Sequence, residues 1–212
     1  MRIGIIGTGG VAKDCYLPFL KTQPDVELLY FNRTRAKADA CADKFGGTVC
    51  DSIPDMVAAA PDSIFVLTSE TVRGEMLGEL IPLKPRRLFL EKPLVARKGQ
   101  DNVDEMDYSA ARDVMRRLHD QGCETAMIFN YRFFDQVIKL REIIQIRSFG
   151  KPVSAVAMVN YACWSHCIDL MHYFVGPVET LAAQTGGMQH QDHVPDITGA
   201  MRFENGASGT IL

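Results

Sequence analysis

The chain opens on Met1-Arg2-Ile3-Gly4-Ile5-Ile6, and the apolar run from Ile3 to Ile6 passes directly into Gly7-Thr8-Gly9-Gly10-Val11-Ala12. That junction constrains the fold more than any other stretch. A short, β-branched apolar run reads as a strand buried on both faces, the habit of parallel sheets. Gly7 allows a sharp turn off the strand. Gly9 has no side chain, so a pyrophosphate can approach the backbone, and Ala12 lets the next helix pack close to the strand. The N–H groups opening that helix would then face the phosphates, with the helix dipole favouring negative charge. The expectation is a dinucleotide-binding turn formed by Gly7, Thr8, Gly9, Gly10, Val11 and Ala12. An ordinary strand–helix turn is the bland alternative.

The rest of the chain is consistent with that start. Val11 to Lys21 reads as a helix with Pro18 in or ending its pattern, and Val26 to Phe31 as a strand. Ala36 to Phe45 reads as a helix stopped by Gly46-Gly47, and Thr48 to Cys50 as a short strand. Ser52 caps a helix begun by Ile53-Pro54-Asp55, Ser63 to Thr68 is a buried strand, and Val72 to Leu80 is a helix. Arg87 to Leu90 is a strand running into Glu91-Lys92-Pro93. This βαβαβ alternation predicts an N-terminal Rossmann domain, a doubly wound parallel sheet, over residues 1–122. A long helix, Asp107 to Gln121, closes on Gly122, and Thr125 to Asn130 is a strand that completes this domain or bridges to the next. Helices over Asp135 to Ser148 and Ser165 to Val175 then alternate with strands at Val153 to Asn160, Val178 to Gln184, Ile197 to Phe203 and Ala207 to Leu212. The last two flank Glu204-Asn205-Gly206, a hairpin signal. Residues 123–212 are therefore expected to form a truncated α+β domain with a mainly antiparallel sheet, giving an α/β chain of two domains.

Bulk properties narrow the function. The 212 residues carry a net charge of −3, which argues against a nucleic-acid or anionic-membrane surface. No apolar stretch reaches the length of a membrane span, and a core strand beginning at the second or third residue leaves no room for a signal peptide. The cytoplasm is the expected location. Cys15, Cys41, Cys50, Cys123, Cys163 and Cys167 are scattered and read as reduced core thiols. Cys163 and Cys167 with His166, Asp169 and His172 resemble a metal cluster only superficially, because a helix would spread them over several faces, and no metal is expected.

The cofactor can be narrowed further at the end of the second strand. An acidic residue there would bond the adenosine ribose and repel a 2′-phosphate. This chain has neutral Asn32, then Arg33 and Thr34. Arg33 can pair bidentately with a 2′-phosphate, and Thr34 adds a hydroxyl donor, so NADP is expected over NAD. In the bland alternative Arg33 is a solvated arginine and both cofactors are accepted. Farther along, Lys92 ends a parallel strand, where doubly wound sheets place their sites. Pro93 biases it towards an extended backbone, and its cation could stabilise alkoxide character on a substrate oxygen.

Four stretches in this order resemble the Gfo/Idh/MocA family of sugar and cyclitol oxidoreductases: Gly7 to Ala12, Glu91-Lys92-Pro93-Leu94, Asn130-Tyr131-Arg132-Phe133 and His166-Cys167-Ile168-Asp169. The resemblance implies a Rossmann domain followed by an α/β domain whose open sheet often mediates oligomerisation. It implies Lys92 and His166 as catalytic groups. It places Thr68, Ser69, Glu91 and Pro93 beside the cofactor, and Arg132, His166 and Asp169 with Lys92 at the substrate. Asp169, three residues after His166 on a helix, could orient the imidazole.

Some features depart from that pattern. The family's Asp-x-Gly-x-His-x-x-Asp has Ala162 and Trp164 here in place of its first aspartate and its glycine. Its Pro-x-x-x-His after the fourth strand becomes Ser69 to Arg73, with Arg73 in the histidine's place. The segment between Asn160 and His166 is short, and the chain ends at Leu212, inside what should be a larger sheet. An apolar last strand would be an exposed edge that a second subunit covers, so a homodimer or larger homo-oligomer through the C-terminal sheet is expected. Three functions remain open. The first is an NADP-preferring oxidoreductase acting on a hydroxyl/carbonyl or imine of a small polar substrate. The second is a cofactor-binding, catalytically degenerate or regulatory paralogue, and the third is NAD-assisted elimination or hydrolysis of a glycoside.

Overall fold

The computed structural model describes residues 1–160, 163–186 and 196–212. Two compact units divide the chain, Met1–Ile128 and Phe129–Leu212. In the first, six strands form one sheet: β1 (Arg2–Ile6), β2 (Glu27–Phe31), β3 (Thr48–Val49), β4 (Ser63–Val66), β5 (Arg87–Leu90) and β6 (Glu124–Met127). Their order is β3-β2-β1-β4-β5-β6 and every pairing is parallel. The chain winds outward from β1 to β3, then crosses to β4 and winds the other way. The reversal between β1 and β4 leaves a crevice at the carboxyl ends of those strands.

Alternation along the strands feeds two cores. Ile3, Ile5, Leu28 and Tyr30 pack with Leu17, Ala38 and Cys41. Ile6, Leu29, Ile64, Val66, Leu88 and Leu90 pack with Met56, Leu77, Leu80, Val114 and Leu118. The helices supplying these residues are α1 (Leu17–Leu20), α2 (Arg35–Phe45), α3 (Ile53–Ala58), α4 (Glu70–Leu80) and α5 (Glu105–Asp120). Because the sheet is covered on both sides, β1 is apolar throughout its buried length. Local signals set the helix ends. Gly46 and Gly47 end α2 at φ +78° and +104°. Ser52 caps α3, its Oγ accepting from the Asp55 N–H at 3.1 Å. Asp104 and Asp107 form a capping box on α5.

Two expectations change here. The helix expected over Val11 to Lys21 is a π-turn, Ala12–Tyr16, followed by the four-residue α1. Pro18 has no N–H to offer the preceding turn, which interrupts a regular ladder. The boundary expected after Gly122 falls instead between Ile128 and Phe129, because β6 joins the first sheet beside β5.

The second unit has a four-stranded sheet, order β7-β10-β9-β8, formed by β7 (Ser154–Ala157), β8 (Val178–Thr185), β9 (Ile197–Phe203) and β10 (Ser208–Ile211), with helices α6 (Asp135–Ile146) and α7 (Trp164–Phe174). The Asn-Gly hairpin forms as expected: Gly206 has φ +87°, and Asn205 Oδ1 accepts from the Ala207 N–H at 3.0 Å. Pairings are antiparallel except β7 with β10. Along β9, Gly199, Met201 and Phe203 are buried while Thr198, Ala200 and Arg202 are exposed. The buried set packs on Met171 and Val175 of α7. The last strand is not an edge. β10 lies between β7 and β9, so the exposed-edge expectation fails and the edges are β7 and β8. Ala162 lies outside the described residues. Among the described residues, no helix is long and apolar enough to cross a membrane.

Candidate functional site

At the β1/β4 reversal the first unit has a cleft of about 280 Å³ lined by Gly7, Gly9, Asn32, Arg33, Thr34, Lys37, Thr68 and Ser69, with Glu75 and Glu79 of α4 also contributing. Gly7 sits at φ +95°, and a Cβ there would lie 2.7 Å from the Thr68 nitrogen, so only glycine fits against the end of β4. Gly9 differs: a Cβ built on it meets nothing within 4 Å. That open space is what a pyrophosphate needs in order to approach the backbone. Thr68 Oγ1 is buried without a hydrogen-bond partner among the described residues, a polar atom left for a bound group to satisfy. Both features fit a dinucleotide. Thr8 and Ala12 are fully buried, while Gly10 and Val11 are exposed.

Asn32 ties the glycine turn to β2. Its Oδ1 accepts from the Thr8 N–H at 3.1 Å, and its Nδ2 donates to the Thr34 carbonyl at 3.0 Å. Arg33 and Lys37 are exposed at the cleft and make no ion pair among the described residues. Neighbouring Arg35, by contrast, is taken by Asp39 and Asp51.

Lys92 follows β5 on a loop whose backbone is held from two sides. Arg73 of α4, only 2% exposed, donates from Nη1 to the Glu91 carbonyl at 2.6 Å and to the Pro93 carbonyl, and from Nη2 to the Thr68 carbonyl. The Glu91 carboxylate accepts the Tyr16 hydroxyl at 2.5 Å and the Lys92 N–H at 3.1 Å. Burial and the Glu91 carboxylate push the Tyr16 phenol well above its ordinary pKa. The Lys92–Pro93 bond is cis. Lys92 is half-buried, and its ammonium has no hydrogen bond or ion pair among the described residues.

In the second unit His166 lies in the first turn of α7. The Tyr131 ring stacks on its imidazole, centroids 4.3 Å apart at 12°, and Phe129 meets it edge-on. The Tyr131 hydroxyl and Cys163 sulfur are 3.2 Å apart, a bond that raises the phenol's pKa. Arg132 and Asp169 meet each other: Nε and Nη2 each donate at 2.6 Å to the carboxylate, which is 6% exposed. Arg132 also stacks over Tyr173, as does Arg141. Both Asp169 oxygens accept from Arg132, bracing α7 to the 3-10 turn Asn130–Phe133. Among the described residues no group of three or more His, Cys, Asp or Glu is arranged to hold a metal. Cys15 is exposed, unlike the core thiol expected there.

Sequence reasoning gave no role to Tyr16, Lys37, Tyr131 or the guanidinium of Arg73. Arg73 had a usable signal, since it shares a helical stripe with Leu77 and Leu80, and all three are buried. Tyr16 had none, because its reach depends on the π-turn.

A doubly wound sheet with a glycine turn at its strand-order reversal and a side-chain-free approach beside it defines a dinucleotide-binding α/β protein. The chain belongs to the Gfo/Idh/MocA oxidoreductase family, whose NAD-binding Rossmann-fold description matches residues 1–124. Solved structures with the same fold include the WlbA dehydrogenase of Chromobacterium violaceum, in complex with NADH and UDP-GlcNAcA, at 18% identity and TM-score 0.78. GenD2 from gentamicin A biosynthesis, in complex with NAD, has 18% identity and TM-score 0.77. UDP-N-acetylglucosamine 3-dehydrogenase GnnA of Acidithiobacillus ferrooxidans has 17% identity and TM-score 0.73. Each covers 100% of this chain, which spans 66%, 64% and 66% of their respective lengths.

Proposed function

We propose that the protein is an NADP(H)-preferring oxidoreductase acting on a hydroxyl/carbonyl, or imine, of a small polar substrate of the sugar or cyclitol class. One observation carries this: a lysine at the carboxyl end of β5 has its flanking backbone polar groups held while its ammonium has no partner among the described residues. A cation carried on a loop held in this way can donate to a substrate oxygen and stabilise the charge that develops there, or carry its proton. When bound, the nicotinamide cofactor supplies or accepts the hydride. Gly7, Gly9, Thr68 and Ser69 would hold it along the cleft, and Arg33 and Lys37 supply the unpaired cations that favour a 2′-phosphate. His166, on which the Tyr131 ring stacks, is the second proton-handling or hydroxyl-binding group. Support for the substrate class comes from the sugar-nucleotide dehydrogenases of the same fold. Six unpaired thiols suit a reducing compartment, the cytoplasm. We place the subunit contact of a homo-oligomer on the open face of the second sheet.

The competing function is a nucleotide-binding protein without turnover, favoured by Ala162 where the family pattern has an aspartate. Fluorescence titration with NADPH and NADH, followed by a screen of sugars, cyclitols, keto-sugars and imines with Lys92→Ala as control, separates the two. NADPH is expected to bind at least about tenfold tighter, a difference of about 1.4 kcal/mol, and Arg33→Ala to remove most of it. Equal or tighter NADH binding would end the NADP assignment. Turnover undiminished in Lys92→Ala would end that residue's role, and tight binding with no turnover on any class would favour the competing function.

A further inference from the structure

We infer that Arg73 is a positioning residue: one planar guanidinium, tied to three carbonyls, fixes the loop on which Lys92 acts. The inference rests on the catalytic role proposed for Lys92. Arg73 brackets that residue in the chain, bonding the carbonyl of Glu91 before it and of Pro93 after it. Its other nitrogen bonds Thr68, at the end of β4 and in the wall of the cleft. The ends of β4 and β5 are thereby fastened to each other through α4. Glu91 completes the hold from the opposite side, taking the Tyr16 hydroxyl and the Lys92 N–H.

Burying a guanidinium is a costly way to fill this position, and what sets it apart is the geometry of its donors. No carboxylate lies within ion-pair distance of it among the described residues, the Glu91 and Glu70 charges favour it only from farther away, and its Nε is buried without a partner. Burial pulls its pKa below the ordinary arginine value. A buried cation without an ion pair costs stability, and an apolar residue would continue the stripe of Leu77 and Leu80 but would leave the three carbonyls without their donor. What the guanidinium provides, and an apolar residue cannot, is a rigid fork of donors aimed in several fixed directions. Placement of a reacting group to within about 1 Å is worth on the order of 10²-fold in rate.

The test uses Arg73→Met, which fills the stripe, Arg73→Lys, which keeps a cation without the fork, Lys92→Ala, and the double variant Arg73→Met with Lys92→Ala. Thermal melts identify which of them fold. Acylation of Lys92 by an amine-reactive ester, relative to Lys84 and Lys98 in the same molecule and read by mass spectrometry, reports the loop without turnover. With Arg73→Met the Lys92 ratio is expected to change by about threefold or more, and kcat to fall by about 10–100-fold while KM for NADPH moves less than about threefold. Arg73→Lys should fold and recover part of kcat. In the Lys92→Ala background, Arg73→Met should slow turnover no further. An unchanged labelling ratio and kcat in a folded Arg73→Met or Arg73→Lys variant would overturn the inference. So would an equal loss of rate with and without Lys92. Undiminished turnover in Lys92→Ala is a separate result: it would overturn the role of Lys92, whereas an unchanged ratio would overturn that of Arg73.

Discussion

Gly7 and Gly9 stand two positions apart in one turn, and different physical needs require them. Gly7 answers to the fold, through a positive φ and the backbone of β4 within 2.7 Å of any Cβ. Gly9 is not demanded by packing, since nothing among the described residues lies within 4 Å of a Cβ built there, and the proposed pyrophosphate path gives it its reason. Gly7→Ala should therefore cost about 3 kcal/mol or more, lowering the melting temperature by on the order of 10 °C. Gly9→Ala should melt with the parent protein yet bind NADPH about tenfold more weakly in a fluorescence titration. Parent-like affinity in Gly9→Ala would show that the pyrophosphate does not pass there. The motif was legible from spacing, but the division of labour within it was not, because it depends on what β4 places opposite. Lys92 was likewise legible as a strand-end lysine before proline. Its hold by Arg73 was not, because the carbonyls involved come from positions 68, 91 and 93.

At the scale of the element, boundaries followed local chemistry wherever a cap or a breaker was present. Ser52, Gly46-Gly47 and the Asn205-Gly206 turn formed what their residue types predict. The cap of α5 shows how such a device couples to pH. Asp107 is 1% exposed and accepts from the Arg97 N–H at 3.1 Å, the Arg97 Nε at 2.8 Å and the Asp104 N–H at 3.3 Å. The Arg97 side-chain bond, first among the causes, holds its pKa below the ordinary carboxylate value. A depressed folded-state pKa stabilises the protein above the unfolded value, about 3.9, and that contribution is lost as pH falls through the folded value. Denaturant midpoints measured from pH 7 down to pH 3 should therefore fall more steeply for the parent than for Asp107→Asn. Parallel curves would mean that the cap carries no such linkage. The π-turn after Gly9 could not be foreseen in this way. It puts the Tyr16 hydroxyl on Glu91, a contact across 75 residues of chain.

For the whole molecule, the second sheet matters most. In its central row Val156 pairs with Thr210, Thr210 with Ala200, and Ala200 with Ala182. This row is on the face opposite Met201, Ile211 and α7, and Val156 is 76% exposed. This row of small side chains in register, flanked on β9 by Thr198 and Arg202, suits a self-complementary contact between two copies. Sedimentation should give a dimer at micromolar concentration, and Ala200→Arg should make it monomeric with little change in melting temperature, since Ala200 is exposed within its own unit. A monomeric parent would remove this contact. The expected route to such a dimer, through an unpaired last strand, does not exist because β10 is interior.

The elements of both units, the glycine turn and the strand-end lysine were readable from the residues in line, because periodicity, capping and turn chemistry are properties of neighbouring residues. The sequence also placed Arg33 just after β2, the residue on which the proposed NADP preference rests. How those pieces act on one another emerged from the folded chain. It buried Arg73 against three carbonyls, joined Asp169 to Arg132 and moved β10 to the middle of its sheet. Each of these is a contact between residues distant in the chain, fixed by packing and strand pairing rather than by local preference. The opening turn specifies a dinucleotide site from about a dozen residues, while the placement of Lys92 beyond that turn depends on α4 folding back across the ends of two strands.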